Sequence, residues 1–286
     1  MPRDRKITEG KTKIIWDDED GLVLIESKDD ITAGDGARHD TIQNKGEIAA
    51  TTTVNCFKLL RRSVPSHFIR QVDPRTFLAR SVEMIPLEIV VRKIATGSYI
   101  KRNPDVVEGT FLPYLVEFFA KNDAEHDPLV IPDIVSQRLL YFDPKKPLRD
   151  GFIREEQMGV HPNSEHYEAH VEKWGIGELP VARLCKIARE TFGRLEADWL
   201  FSDVTLVDLK IECGWTDDRQ LVVADVIDND SWRIWPKGEK AQMKDKEVYR
   251  SLKESTPEAL GEIRKNYIWV AEQTTAMVRA HESHGA

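Results

Sequence analysis

Two short runs rich in apolar and β-branched residues, 11–16 and 22–27, flank a polar cluster of Asp, Glu and Gly at 17–21. That pattern predicts an opening β-hairpin. From Ile48 to Leu60 the apolar or small positions Ile48, Thr52, Cys56, Leu59 and Leu60 recur at helical spacing, which predicts an amphipathic helix. Two β-rich runs follow, 77–84 and 87–94, with Pro86 between them. Proline has no backbone donor, so a bend or crossing is expected there in place of one unbroken strand. Helical spacing returns from Val181 to Leu200 through Leu184, Ile187, Ala188, Phe192 and Leu195. Near the end, Thr256 is placed to cap a helix with Pro257 in its first position, and Leu260, Ile263, Tyr267, Val270 and Met277 line one face. Strands in both halves, with helices between and after them, indicate an α+β or α/β chain without internal repeats.

The stretch from Phe142 to Pro180 breaks this rhythm. It is rich in Pro, Gly and charge and lacks sustained periodicity. It is expected to be a surface excursion, long enough to carry short helices of its own or to help form an interface.

At 286 residues, with 41% hydrophobic and 31% charged residues, the chain has the make-up of a globular protein able to bury a sizeable core. No apolar run approaches the roughly 18 residues that span a bilayer, so a soluble protein without a membrane partner is expected. The net charge of −8 and the interleaving of basic with acidic residues give no basic surface for nucleic acid. The start lacks the apolar stretch of a secretory signal, and the three cysteines, Cys56, Cys185 and Cys213, form no C-x-x-C pair. A cytoplasmic setting is expected, with the thiols as small buried hydrophobes.

The most informative segment runs from Thr205 to Asp230 and reads as a second β-hairpin. Alternation puts Asp208, Lys210 and Glu212 on one face and Val207, Leu209 and Ile211 on the other. On the returning strand Asp225 stands across from the Ile211 region, where its carboxylate is expected to converge with that of Glu212. Two carboxylates suit magnesium, which binds through one or two of them and takes its other oxygens from phosphate and water. The competing reading is a salt-bridged outer face.

Three weaker strings accompany it. In Glu9-Gly-Lys-Thr-Lys13, Lys11 and Lys13 are expected on one side of the first strand, with Gly10 allowing close backbone approach; that suits a triphosphate, and a plain surface strand equally. In the run from Val90 to Ser98, a strand bearing Arg92 enters a Thr-Gly-Ser turn able to clasp a phosphate or carboxylate, unless Arg92 is a structural partner of Glu88. From Lys121 to Pro128 ionisable groups crowd a turn. His126 lacks a second histidine at ligand spacing, which leaves substrate contact or simple loop polarity.

Taken in order, these strings resemble the SAICAR synthetase family of purine-pathway ligases. The resemblance rests on Glu-Gly-Lys-Thr-Lys at Glu9, Asp-Ile-Thr-Ala-Gly-Asp-Gly-Ala-Arg at Asp30 and Arg-x-Ile-Ala-Thr-Gly-Ser at Arg92. It rests further on Lys-Asn-Asp-Ala-x-His-Asp-Pro at Lys121, Val-Asp-Leu-Lys-Ile-Glu at Val207 and Ala-Asp-Val-Ile-Asp-Asn-Asp-Ser-Trp-Arg-Ile-Trp-Pro at Ala224. It covers roughly Thr8 to Ala271 and is nearest to the synthetase half of the bifunctional animal enzyme. The family joins L-aspartate to the carboxylate of carboxyaminoimidazole ribonucleotide (CAIR), converting ATP to ADP and phosphate with Mg²⁺.

The resemblance implies an α+β fold in two lobes with a cleft between them, drawn here as a β-rich ATP-binding lobe over 1–86 and a larger lobe over 87–286. It implies ATP contacts from Gly10, Lys11, Lys13 and Met84, and CAIR contacts from Arg92, Ser98, Lys210 and Arg233. Magnesium falls to Glu212 and Asp225, and a place near the reacting groups to Asp35, Lys121, Asp127 and Lys210. The implied partners are ATP, CAIR and aspartate; homo-oligomerisation stays open. Cys213 departs from the aromatic expected after the glutamate, and the 142–180 stretch is longer than the family's connection. The alternatives are a kinase-like phosphotransferase acting on a small phosphorylated substrate and a non-catalytic nucleotide-binding scaffold.

Overall fold

The computed structural model describes residues 5–34, 36–121, 127, 129–133, 138–142, 158–160 and 181–284. In chain order the elements are β1 Lys6–Glu9, β2 Lys13–Asp18, β3 Leu22–Ser27, β4 Asp30–Ala33, β5 Arg38–Thr41, α1 Lys45–Leu60, β6 Phe68–Asp73, β7 Thr76–Arg80 and β8 Glu83–Ile94. There follow α2 Ser98–Arg102, β9 Phe111–Ala120, β10 Leu129–Asp133, β11 Arg138–Phe142, β12 Met158–Val160 and α3 Val181–Phe201. The series closes with β13 Val204–Trp215, β14 Leu221–Ala224, β15 Trp232–Pro236, α4 Glu247–Arg250 and α5 Pro257–His284. Most of the 142–180 stretch lies outside the described residues.

The chain divides into two compact units, one of residues 1–85 and 190–286, the other of residues 86–189. The lobes drawn from sequence thus differ from the units, because the last hundred or so residues group with the first rather than with the middle.

Among the described residues of the first unit is an antiparallel five-stranded sheet, β1-β2-β3-β7-β6. Ile25 and Phe77, paired across β3 and β7, are buried, and the Phe77 ring lies 6.1 Å from that of Phe57 on α1. The Phe57 ring stacks on Phe68 at 5.6 Å. A second cluster joins Ile31 and Ile42 to Tyr249, Ile263 and Tyr267, tying the β4–β5 hairpin to the C-terminal helix. β13 pairs antiparallel with β14 through residues 212–215 and with β15 through residues 204–209. In the second unit β8 to β12 form an antiparallel meander, each strand paired with the next.

Several expectations hold. The 2–3 hairpin, α1, α3 and α5 form where the patterns place them, and Thr256 caps α5 by accepting the Ala259 N–H at 3.2 Å. α1 begins three residues early and is capped from afar. Asn44 lies in the left-handed region (φ 61) without a side-chain cap, and Asp29 accepts the N–H groups of Asn44 (3.2 Å) and Gly46 (2.8 Å) instead.

Two expectations fail. β8 runs unbroken through Pro86, where a bend was expected. Its pairing with β9 begins only at Leu87↔Ala120, and Pro86 takes part through its carbonyl, which accepts the Lys121 N–H at 3.1 Å. At the end of that ladder the missing donor costs little. Lys11, expected on the first strand beside Lys13, lies instead in a turn between β1 and β2. That turn is closed by Gly10 N–H to Lys13 O (2.9 Å) and Lys28 N–H to Thr12 O (2.8 Å).

Candidate functional site

In the first unit the site is built on the hairpin of β13 and β14. The last pair on this ladder is Glu212↔Ala224, so Asp225 stands opposite Ile211 as expected. Paired residues share a face, and a regular extended Asp225 would therefore bury its carboxylate on the apolar side with Ile211. The backbone prevents this. Asp225 has φ 64, which breaks the alternation, and its Oδ1 meets the Nζ of Lys13. Glu212 is 4% exposed and accepts from Lys210 Nζ at 3.2 Å. Each carboxylate thus already binds a cationic group.

Asp208, on the same strand face, accepts from Arg233 Nη1 at 2.6 Å, while Arg233 Nη2 reaches Glu247 at 3.3 Å. Burial disfavours the guanidinium charge, but the Asp208 and Glu247 carboxylates outweigh it and hold its proton more tightly than usual. Two of its five donors are engaged there, which leaves others for a ligand. Asp245 accepts the Ile234 and Glu247 N–H groups at 3.0 and 2.9 Å. Burial pushes its carboxyl up to about 6 despite those bonds.

Behind this face lies an ionic network that pattern reading did not single out. Lys246 Nζ donates to Asp230 Oδ2 at 2.7 Å, the Tyr267 hydroxyl donates to Asp230 Oδ1 at 2.6 Å, and buried Lys45 lies 5.4 Å from the Tyr267 ring centre. Burial and the neighbouring Asp230 charge raise the Asp228 carboxyl to about 6. The only sign in sequence was the Asp-Asn-Asp run, which periodicity leaves as a turn.

His67 was also missed. Its ring is 2% exposed, edge-on to Phe57 and Phe77, and Nε2 lies 3.1 Å from the Asp225 carbonyl. Burial lowers its pKa to about 4. Gly10 and Lys11 occupy the β1–β2 turn, and a methyl group added at Gly36 would come within 3.9 Å of Lys11 Cε. Asp35, between Gly34 and Gly36, lies outside the described residues. Met84 is 37% exposed on β8.

In the second unit Arg92 is 3% exposed, and its partner is Glu117 (Nε–Oε2, 2.5 Å), not Glu88. Arg92 Nη2 donates to Ser98 Oγ at 3.2 Å, and Arg102 binds the other Glu117 oxygen at 2.5 Å. Two guanidinium groups thus share one carboxylate, with a hydroxyl at its edge. Lys121 is exposed at the end of β9, and Asp127 has φ 46; His126 lies outside the described residues.

Among the described residues no three His, Cys, Asp or Glu side chains cluster as a metal cage. Magnesium needs fewer, and the all-oxygen donor pair Glu212 and Asp225, each facing an ammonium, fits a hard cation. Among the same residues no helix is long and apolar enough to cross a membrane.

This is a mixed α and β protein of antiparallel sheets whose candidate site couples hairpin carboxylates to ammonium groups. The profile of the SAICAR synthetase family matches residues 6–146 and 144–266. The chain is 42% identical over 272 residues to the phosphoribosylaminoimidazole-succinocarboxamide synthase of Chloroflexus aurantiacus, covering 94% of this chain and 95% of that protein. It is 43% identical over 296 residues to the bifunctional purine synthesis protein purC/E of Dictyostelium discoideum, of which it spans 27%. A solved SAICAR synthetase in complex with ADP superposes with a TM-score of 0.70 at 30% identity, covering 91% of this chain and 96% of that one. The chain belongs to the SAICAR synthetase family.

Proposed function

We propose that this protein is an ATP-dependent carbon–nitrogen ligase that joins L-aspartate to the carboxylate of CAIR in purine biosynthesis, by way of an acyl phosphate. The observation that carries the reading is the hairpin pairing of Glu212 with Lys210 and of Asp225 with Lys13, in a chain 42% identical to a synthase named for this product.

A carboxylate is a poor electrophile: its charge repels an amine, and oxide does not leave. Moving the γ-phosphoryl group of ATP onto a CAIR carboxylate oxygen makes phosphate the leaving group. The aspartate amine then attacks the carbonyl carbon and phosphate departs. Lys11 and Lys13 supply positive charge for the phosphate oxygens, and Met84 meets the adenine. Arg92, Ser98, Lys210 and Arg233 hold CAIR, the guanidinium groups as forks for its phosphate and carboxylate. Glu212 and Asp225 would hold Mg²⁺, which supplies charge stabilisation on phosphoryl oxygens when bound. Asp35, Lys121 and Asp127 are assigned near the reacting groups, where a carboxylate accepts the proton shed by the attacking amine. The compartment we assign is the cytoplasm.

The test mixes protein, MgATP, aspartate and CAIR labelled with heavy oxygen in its carboxylate. One labelled atom is expected in phosphate at each aspartate-dependent turnover. Unlabelled phosphate would exclude the acyl phosphate, and ADP release indifferent to aspartate would exclude the ligase.

A further inference from the structure

His67 directs its backbone N–H and one ring nitrogen to the end of β14 and the residue that follows it. Its N–H donates to Val223 O at 3.0 Å, and one step back Pro65 O accepts from Val223 N–H at 3.0 Å, so that 65–67 runs beside β14 in a short parallel bridge at Ser66↔Val223. Its side chain continues the same edge to residue 225, where Nε2 lies 3.1 Å from the Asp225 carbonyl. The His67 carbonyl accepts the Arg80 N–H at 2.8 Å, which fixes the segment to β7.

This edge contact falls where the β13–β14 ladder stops. Glu212↔Ala224 is the last pair, and Asp225 turns into the left-handed region at φ 64, a conformation that costs a non-glycine residue on the order of 1 kcal/mol. Out of the ladder, the Asp225 carbonyl has the His67 ring nitrogen as a hydrogen-bond partner. A carbonyl only accepts, so the facing ring nitrogen carries the hydrogen. Phe57 and Phe77, with ring centres 5.5 and 5.9 Å from that of His67, keep the imidazole from swinging away.

We propose that His67 is a positioning residue for the Asp225 carboxylate: by donating Nε2–H to the Asp225 carbonyl it holds residue 225 in the left-handed conformation that turns the carboxylate to the cation side of the hairpin. The inference rests on the assignment of Asp225 as a metal ligand. It makes His67 an outer support acting through the main chain, in the manner of groups whose loss costs roughly ten- to a hundredfold in metal affinity.

The test titrates Mn²⁺, another oxygen-seeking divalent ion, into the full protein with saturating ADP, reading free Mn²⁺ by electron paramagnetic resonance. His67→Phe keeps the aromatic filling and removes the donor; it is expected to weaken Mn²⁺ about tenfold or more, and His67→Gln, which restores an N–H, to recover most of the loss. In an Asp225→Asn background His67→Phe should add nothing further. A folded His67→Phe protein with parental Mn²⁺ affinity, alongside a weakened Asp225→Asn, would overturn the role of His67 while sparing the metal assignment. Parental affinity in Asp225→Asn would overturn the metal assignment itself. Nitrogen NMR of the histidine ring in the unaltered protein needs no variant to fold: protonated Nε2 coupled to a carbonyl is expected, and a bare Nε2 with protonated Nδ1 excludes the proposal.

Discussion

Lys13 and Asp225 stand 212 residues apart in sequence and form an ion pair. A lysine on the second strand of the chain thus sets the place of a carboxylate at the far hairpin. Losing either carboxylate of the proposed metal pair should be felt in the dependence on magnesium. Glu212→Gln and Asp225→Asn are expected to leave the fold intact and to cut turnover by about a hundredfold or more at low magnesium, several kcal/mol of charge stabilisation being at stake. Turnover against magnesium concentration, with circular dichroism as the folding check, measures this. Parental rates in both variants would remove the hairpin from the metal site.

Arg92 is expected to matter for CAIR and not for ATP. Arg92→Ala should weaken CAIR about ten- to a hundredfold, the equivalent of roughly 1.5–3 kcal/mol for a charge-assisted contact, and Ser98→Ala by less. Glu117 keeps Arg102 as a partner in Arg92→Ala, so no carboxylate is stranded. Separate Michaelis constants for the two substrates decide it, and equal losses for both would place Arg92 elsewhere.

Asp245 should leave a mark on stability as pH changes. Its carboxyl titrates near 6 when folded, above its range in the unfolded chain. The folded state therefore binds the extra proton between about pH 4 and 6. The stability this lends is fully present below about pH 4 and is lost as pH rises through 6, by at most about 3 kcal/mol for two pKa units. Asp245→Asn abolishes the titration. Urea midpoints of the two proteins should diverge in the variant's favour from pH 4.5 to 7.5, and parallel curves would show that Asp245 ionises normally.

Gly46 sits where no side chain fits. A methyl group there would lie 2.5 Å from Ser27 O and 2.9 Å from Arg75 Nη1, beside the N–H that Asp29 caps. Gly46→Ala is expected to destabilise by about 1–3 kcal/mol despite alanine's better helix propensity. Thermal unfolding gives the answer, and an unchanged or raised midpoint would mean the helix start yields freely.

Local rules were enough for elements whose evidence is local. The spacing of Leu184, Ile187, Phe192 and Leu195 and the pair Thr256-Pro257 each describe a helix that tertiary contacts do not contest. The β13–β14 hairpin was legible because alternation and the turn agreed. What escaped depends on partners far along the chain. Asp29 caps α1 from across the β4–β5 hairpin, Arg92 finds Glu117 twenty-five residues away and not Glu88, and Pro86 is harmless because the ladder with β9 ends there. The site followed the same division. Glu212 could be placed by counting along a strand, whereas the orientation of Asp225 depends on one positive φ and on His67, which nothing in the spacing announces.

The division of the first unit between residues 1–85 and 190–286 has a consequence for the protein at its birth. Ile31 and Ile42 have Tyr249, Ile263 and Tyr267 for their core partners. At a synthesis rate of about 5–20 residues per second, those partners leave the ribosome about ten seconds or more after the strands that need them. During that interval the nascent chain displays an unfilled apolar surface, and the contacts that close it span most of the polypeptide, the kind that form slowly. Ribosome-bound chains halted before Pro257 should therefore recruit holdase chaperones, and chains released at that length should aggregate.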